Sequence, residues 1–273
     1  MNTSNTVQSV EFCWTARHTS LKFCRENFLM SRQNENIGLI LAAGRGRRMG
    51  KDSKLPKCLN NVKGRALIEY QVSALRAINL SSVVVITGYQ RHLVAPFGDL
   101  EVFNDEWQDT NMVYSLLKAS SIVDKSGCIV SYGDIFYEES ALQALLDCPN
   151  DISILYSDNW TELWKMRSDD PLADAETFQL NSDQTVKLIG TRPESLEEIE
   201  GQYMGVLRFT YPGWKTFTNF TATLPQSTLR EISMTSVLNS MISQGLANIG
   251  AVKYSGAWGE VDTESDLKLY NSI

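Results

Sequence analysis

Apolar positions gather in short unbroken runs through the first half of the chain. Ile37 to Ala42 (IGLILA), Val83 to Thr87 (VVVIT), Cys128 to Tyr132 (CIVSY) and Ile152 to Tyr156 (ISILY) are of strand length and carry few polar side chains. Such runs predict strands buried on both faces. Between them the spacing changes. Residues 66–79 set Leu67, Tyr70, Ala74, Leu75 and Ile78 along one helical stripe,. Residues 111–121 and 141–146 read as further helices, and Glu101 to Phe103 as a short strand. This alternation predicts an α/β fold: a mostly parallel sheet flanked by helices on both faces.

After about residue 157 the pattern loosens. Phe178–Leu180, Val186–Ile189 and Tyr203–Phe209 read as strands, in part antiparallel. Residues 232–242 read as a helix, 249–254 as a strand and 263–270 as a closing helix, so the C-terminal half is expected to be mixed. No internal repeat or low-complexity linker interrupts 37–273, and a single domain is the simpler expectation. Residues 1–36 are polar with scattered aromatics and follow neither period. They read as a disordered leader or a mis-called start, with Met30 as the alternative start, ahead of a targeting peptide. A secretory signal is not expected, because no apolar core precedes a small-residue cleavage site.

Composition narrows the function classes. Of 273 residues, 43% are hydrophobic and 21% charged, which is ordinary for a globular chain. No apolar run reaches the ~18 residues of a membrane span. The net charge of -7 counts against a nucleic-acid binder. The five cysteines include no CxxC pair and there are only two histidines, so neither a zinc site nor a disulfide framework is expected. The odd count fits a reducing cytoplasm.

Against that acidic background one stretch reverses sign. From Leu41 to Arg65 there are eight basic residues and one acid, Asp52. The stretch begins Leu41-Ala42-Ala43-Gly44-Arg45-Gly46-Arg47-Arg48-Met49 and runs on to Pro56-Lys57. Glycines let backbone N–H groups approach phosphate oxygens, arginines add planar donor forks, and lysine adds a movable charge. Such a loop after a buried strand is where open α/β sheets bind ligands. It is neither a P-loop nor a dinucleotide fingerprint, since GxxxxGK[ST] and the third glycine are both missing. A solvated basic turn that binds nothing is the alternative.

The stretch LAAGRGRRMG…LPK resembles the signature of nucleotidyltransferases that load small alcohols, sugars and phosphonates onto nucleotides. The pattern G-x-G-x-R…P-K falls on Gly44, Gly46, Arg48, Pro56 and Lys57. Leu67–Gln71 (LIEYQ), Thr87-Gly88-Tyr89, Phe103-Asn104-Asp105, Thr110–Leu116 (TNMVYSL) and Trp258–Asp262 (WGEVD) are similar to the phosphocholine cytidylyltransferase-like branch. The likeness keeps its order over roughly residues 37–270. It implies a Rossmann-like sheet of the nucleotide-diphospho-sugar transferase type, with CTP as donor. It implies nucleotide binding by Leu41, Ala42, Ala43, Gly44 and Gly46, by Thr87, Gly88 and Tyr89, by Asn111 and Ser115, and by Gly133. Arg48 would hold the triphosphate and Lys57 would neutralise charge at the α-phosphate.

Two aspartates take the metal role by the same resemblance, Asp134 after the third core strand and Asp262 in the late E-x-D segment, with Mg²⁺ as the implied cofactor. Many relatives carry a second acid beside the first; here Gly133 and Ile135 flank Asp134. Each aspartate has an alternative as a helix cap, Thr263 competing with Asp262.

The acceptor is sought between Trp160 and Phe178 (WTELWKMRSDDPLADAETF). Its aromatics could hold a quaternary ammonium. Lys165 and Arg167 could clamp an anion. A surface loop anchored by two tryptophans is the alternative. The stretch is similar to W-x-x-R…D-P-L-x-D-A-E-x-F of cytidylyltransferases acting on phosphonates. It makes Trp164, Lys165, Arg167, Asp174 and Glu176 the acceptor-binding candidates. Glu200–Gly205 (EGQYMG) fits that branch too. The expected function is CTP-dependent transfer of CMP to a small phosphonate or phosphomonoester, by direct in-line attack with pyrophosphate leaving. Lys57→Ala is expected to cut kcat with little effect on folding. The partners expected are CTP and that acceptor, with no nucleic acid and no membrane, and a homodimer left open. A sugar-1-phosphate uridylyl- or thymidylyltransferase, or a non-catalytic nucleotide-binding protein, are the alternatives.

Overall fold

The computed structural model describes residues 36–49, 55–123, 126–167, 170–173 and 175–273; the leader, Asn36 apart, lies outside them. Thirteen strands occur among the described residues: β1 (Ile37–Ala42), β2 (Asn61–Val62), β3 (Arg65–Ala66), β4 (Ser82–Thr87), β5 (Leu100–Phe103), β6 (Cys128–Tyr132), β7 (Ile135–Tyr137), β8 (Ile152–Ser157), β9 (Phe178–Leu180), β10 (Val186–Ile189), β11 (Gln202–Phe209), β12 (Ile249–Lys253) and β13 (Trp258–Glu260). Seven form the central sheet, in the order β12-β8-β11-β6-β1-β4-β5. β1 runs parallel to β4 and β6, β4 to β5, and β8 to β12. β11 runs antiparallel to both of its neighbours. The sheet is therefore mostly parallel, with its irregularity in the second half.

Alternation along the strands explains the two-sided core. Ile37 and Leu39 of β1 and Val84 and Ile86 of β4 pack with Val113, Leu116, Trp214, Phe217 and Val237. Those come from the helices Met112–Leu117, Tyr211–Thr221 and Met234–Ser243. Ile40, Ala42, Val83 and Val85 point the other way, onto Ile68, Leu75, Leu142 and Trp160. Those belong to the helices Leu67–Ala77, Ser140–Asp147 and Trp160–Arg167. The inner strands β1, β4 and β6 thus carry buried side chains on both faces, which is why they read as continuous apolar runs,.

Three departures matter for the site. The WTELWKM segment is helical over Trp160–Arg167, with Trp160 and Trp164 buried. Tyr211–Thr221 is a helix despite Pro212, Gly213 and three threonines. Its Thr210 cap accepts from the Gly213 N–H at 3.2 Å, and Trp214, Phe217 and Phe220 bury one face, so packing outweighs propensity. Lastly, β7 and β13 pair antiparallel, Ile135 opposite Glu260. No local period announces a ribbon between segments so far apart in sequence.

β1 connects forward to β4 on one side, and the chain later returns to β6 on the other. The carboxyl ends of β1 and β6 therefore flank a switch point, the place where such sheets hold ligands. No helix among the described residues is long and apolar enough to cross a membrane.

Candidate active site

At that switch point the backbone is pinned first. Gly133 donates its N–H to the Leu41 carbonyl at 3.0 Å, and Tyr89 donates to Ala43 O at 2.9 Å. A Cβ on Gly88 would stand 2.5 Å from both Ala43 O and Trp107 Cβ. Thr87, Gly88 and Tyr89 therefore support the loop from behind and line neither of the two hollows next to it. Gly46 sits at φ +76°, and a Cβ there would lie 2.8 Å from Lys57 Cβ. The glycine lets the loop and the Lys57 stem touch.

Two hollows open on either side of Gly44 and Gly133. One, of about 250 Å³, is lined by Leu41, Ala42, Gly44, Gly46, Arg48, Lys57, Cys58, Gly133 and Asp134. The other, of about 170 Å³, is lined by Leu41, Ala43, Gly44, Trp107, Thr110, Asn111, Met112, Ser115, Tyr132, Gly133 and Asp134. Ser115 is held there by Asn104, whose buried amide donates to Ser115 Oγ at 2.9 Å and to Thr110 Oγ1 at 3.0 Å. Asn111 caps its helix by accepting from Met112 N at 2.8 Å.

Charge converges between the hollows. Arg48 Nη2 donates to Asp262 Oδ1 at 2.8 Å. Lys57 Nζ donates to Asp134 Oδ2 at 2.8 Å and also to Asp262 Oδ1. Asp134, Glu260 and Asp262 each bring a carboxylate oxygen within 4.8 Å of the others. The β7–β13 ribbon does this: Val261 N–H donates to Asp134 O at 2.9 Å, and Glu260 and Asp262 are two residues apart. Burial pushes the Glu260 carboxyl above its ordinary value, helped by the charges of Asp262 and Asp134 and opposed by Arg167 and Lys57. Burial works against the Lys57 ammonium, but the three carboxylates outweigh it and hold its pKa above the ordinary value. Asp134 Oδ1 is buried with no hydrogen-bond partner among the described residues. A buried, unsatisfied carboxylate oxygen beside two further carboxylates fits a divalent cation.

Neither aspartate is a helix cap. Thr263 caps Glu264–Ser272, in a reciprocal box with Asp266, and the helix after Asp134 starts at Ser140 with no side-chain cap.

The acceptor candidates separate. Glu176 lines a third hollow of about 180 Å³ with Arg48, Tyr132, Gln202, Tyr203, Ser233, Thr235, Glu260 and Asp262 among its walls. Arg167 is 5% exposed at its side chain and does not reach that hollow. It donates from Nε to Asp266 Oδ1 at 2.9 Å and from Nη2 to Asp262 Oδ2 at 3.5 Å, and lies 4.6 Å from the Trp164 ring. Asp266 in turn accepts from the Asp262 N–H at 3.0 Å. Arg167 thus stands behind the acids and cannot clamp an acceptor in this arrangement. Trp164, 1% exposed, packs on Trp258 inside the core, and so presents no face to a ligand. Lys165 is exposed and lines none of the three hollows. Asp174 lies outside the described residues.

Several residues carry more of the site than their motifs suggested. Glu260 was visible in the WGEVD segment, and its two-residue spacing from Asp262 was the available signal, since strand side chains two apart share a face. Thr110 and Tyr132 fell within motifs but were not singled out, and Trp107 lines its hollow without any local pattern to mark it. Gln202 and Tyr203 lie where β11 slips its register against β8, and a bulge of that kind is not legible locally.

A family model described as the MobA-like NTP transferase domain matches residues 38–186. CTP:phosphoglutamine cytidylyltransferase of Campylobacter jejuni subsp. jejuni serotype O:2 is 31% identical over 248 residues, 85% of this chain and 97% of that one. Among solved structures, the inositol-1-phosphate CTP transferase from T. maritima superposes with a TM-score of 0.67 at 22% identity, covering 86% of this chain and 94% of the other. A glucose-1-phosphate thymidylyltransferase, so described with the qualifier of a provisional assignment, from Bacillus anthracis gives a TM-score of 0.70 at 16% identity, with 86% and 94% covered. At those two identities the likeness is one of fold.

Proposed function

The chain belongs to the MobA-like NTP transferase family, and on that premise we propose that it moves CMP from CTP onto a small phosphorylated or phosphonate acceptor. It is a nucleotidyltransferase of the cytidylyltransferase-like branch. The observation that carries the finer reading is the convergence of Arg48, Lys57, Asp134, Glu260 and Asp262 at the junction of the three hollows. The relative that spans most of this chain uses CTP by its description, which supports cytidine over other nucleosides.

In this reading the nucleoside lies against Ala43, Gly44, Trp107, Thr110, Asn111 and Ser115, and the triphosphate lies along Gly44, Gly46, Arg48 and Lys57. Arg48 and Lys57 then face the phosphate oxygens. Asp134, Glu260 and Asp262 would hold a divalent cation, taken here as Mg²⁺, whose contribution when bound is to neutralise the triphosphate. Lys57 exchanges part of its present contact with the acids for contact with phosphate. The acceptor occupies the hollow lined by Glu176 and Gln202, with its anionic end towards Arg48.

The chemistry is a single displacement. An oxygen of the acceptor's phosphate or phosphonate forms the new bond to the α-phosphorus, the bond to the β-phosphate bridge breaks, and pyrophosphate carries away the electron pair. A phosphomonoester has its second pKa near ~6, so the nucleophile is ionised at neutral pH and no general base is required. Catalysis then rests on positioning and charge neutralisation.

Pyrophosphate release tests the reading directly, with CTP, UTP, ATP, GTP and dTTP each set against phosphonates, phosphoalcohols and sugar 1-phosphates. Turnover confined to CTP is expected. Turnover with UTP or dTTP and a sugar phosphate would replace this reading with the sugar-nucleotide one.

A further inference from the structure

Trp164 and Arg167 lie three residues apart on the helix Trp160–Arg167, so they share a face,. That face grips the segment that carries two of the acids. Trp164 packs on Trp258 with ring centroids 6.0 Å apart. Arg167 holds its guanidinium carbon 4.6 Å from the centre of the Trp164 ring and reaches further along the same segment. Its Nη1 stands 3.6 Å from Glu260 Oε2, and its Nη2 stands 3.5 Å from Asp262 Oδ2. Residues 258, 260 and 262 are two apart, so one helix face meets successive side chains on one side of the ribbon. Asp266 anchors the guanidinium from the other side, accepting from Nε on Oδ1 at 2.9 Å and from Nη2 on Oδ2 at 3.4 Å. Asp266 is itself fixed, because its Oδ2 accepts from the Asp262 N–H at 3.0 Å and from the Thr263 N–H at 2.9 Å.

The two oxygens of Asp262 therefore have different partners. Oδ1 accepts from Arg48 and Lys57, on the side of the glycine-rich loop. Oδ2 faces Arg167. A carboxylate held by one oxygen cannot exchange the two by rotating, so Oδ1 alone is presented to the site. We propose that Arg167 is a positioning residue of the cation site. It holds Asp262 by Oδ2 so that Oδ1 faces the cation, and it supplies a fixed positive charge that lets Glu260 and Asp262 stand side by side. This rests on the three acids being the cation site of the cytidylyl-transfer reading. It gives the W-x-x-R segment a role other than binding the acceptor. A partner behind a ligating group is worth about 10–100-fold in metal affinity. Arg167→Lys keeps the charge but replaces a planar fork with a point charge, which cannot span Asp262 and Asp266 together.

The test reads metal binding without turnover. Mn²⁺ is titrated into the wild-type chain, Arg167→Lys and Arg167→Met, with free metal followed by electron paramagnetic resonance and folding checked by circular dichroism and Tm. Both variants are expected to bind Mn²⁺ about 10–100-fold more weakly. In the pyrophosphate assay the Mg²⁺ concentration giving half the maximal rate should rise by a similar factor, while KM for the acceptor at saturating Mg²⁺ stays within a few-fold of wild type. A purely structural role would lower the Tm and leave the Mn²⁺ affinity of the folded protein unchanged. If Arg167→Met does not fold, Arg167→Lys decides. Unaltered Mn²⁺ affinity in folded Arg167→Lys overturns the proposal, as does a wild-type chain that binds no Mn²⁺. An effect confined to the acceptor KM also overturns it and returns Arg167 to the acceptor, with cytidylyl transfer left standing. Arg167-dependent Mn²⁺ binding in a protein that turns over no CTP would fail the reaction and keep the positioning role.

Discussion

Lys57 has three acids around it and 12% of its side chain exposed. Removing its ammonium leaves Asp134, Glu260 and Asp262 facing one another in a poorly hydrated space. The sequence alone suggested that Lys57→Ala would cost activity and little stability; the buried pairs alter the second half of that expectation. Breaking a buried pair by deleting one partner costs about 3–5 kcal/mol, because the remaining charge is uncompensated. A divalent cation would replace the lost charge. Lys57→Ala should therefore lower kcat by about 10²-fold or more. It should also lower the Tm without metal and regain more of it on adding Mg²⁺ than wild type does. Parallel melting curves with and without Mg²⁺ check this, and an active variant with an unchanged Tm would remove Lys57 from the role. Arg167 teaches the limit of residue-level reading. Its type and motif were plain in the sequence, but whether a guanidinium faces solvent or the back of a carboxylate depends on Asp266 and Trp164. Those lie 99 residues later and one turn earlier.

Elements were legible where one short segment decides its own state. β1, β6, β9 and β10 have the bounds their apolar runs suggest, and β6, β9 and β10 are each bounded by polar or glycine residues. The Asn111–Ser121 pattern instead yields a helix over Met112–Leu117 followed by turns, and its anchorage is tertiary. Glu106, before this helix, accepts from the Tyr114 hydroxyl and pairs with Arg230 Nη1 at 2.6 Å. Arg230 belongs to Gln226–Glu231, so one carboxylate ties two helices beside the hollow lined by Trp107 and Ser115. The Tyr114 hydrogen bond, then Arg230, lowers the Glu106 pKa from 4.5 to about 2. A carboxylate depressed in the folded state contributes stability that is present above its unfolded value and lost as pH falls through the folded one. The contribution is thus complete above about 4.5 and fades towards about 2. Glu106→Gln should flatten the fall in stability over that acid window and change little at neutral pH in its slope. Denaturant midpoints measured from pH 5 down to 2.5 would show it; an unaltered slope would mean the network is not formed in solution.

At the scale of the molecule, the acids come from opposite ends of the fold. Asp134 follows a strand next to β1, whereas Glu260 and Asp262 arrive with β13, after the rest of the sheet is complete. Lys57 and Arg48 belong to the first βα connection. Local patterns could identify each segment, and the family resemblance could order them. The β7–β13 pairing that joins them is a long-range contact that only the folded core specifies. One consequence is thermodynamic. A ligand that binds only this assembled constellation stabilises the folded chain by RT ln(1 + [L]/Kd), about 2.7 kcal/mol at 100 times Kd. CTP and Mg²⁺ added together should raise the Tm more than the sum of their separate shifts, because the triphosphate supplies ligands that the three carboxylates leave open, and each therefore tightens the other's binding. Because the site draws on Leu41 to Arg48, on Lys57, and on residues 132–134 and 258–262, the added stability should appear as one displaced transition. Calorimetry with CTP, Mg²⁺, both and neither provides the comparison. Additive shifts would mean that metal and nucleotide bind independently. A trace in which only one of two transitions responds would mean that the two ends of the site unfold separately, and that the ribbon does not couple them.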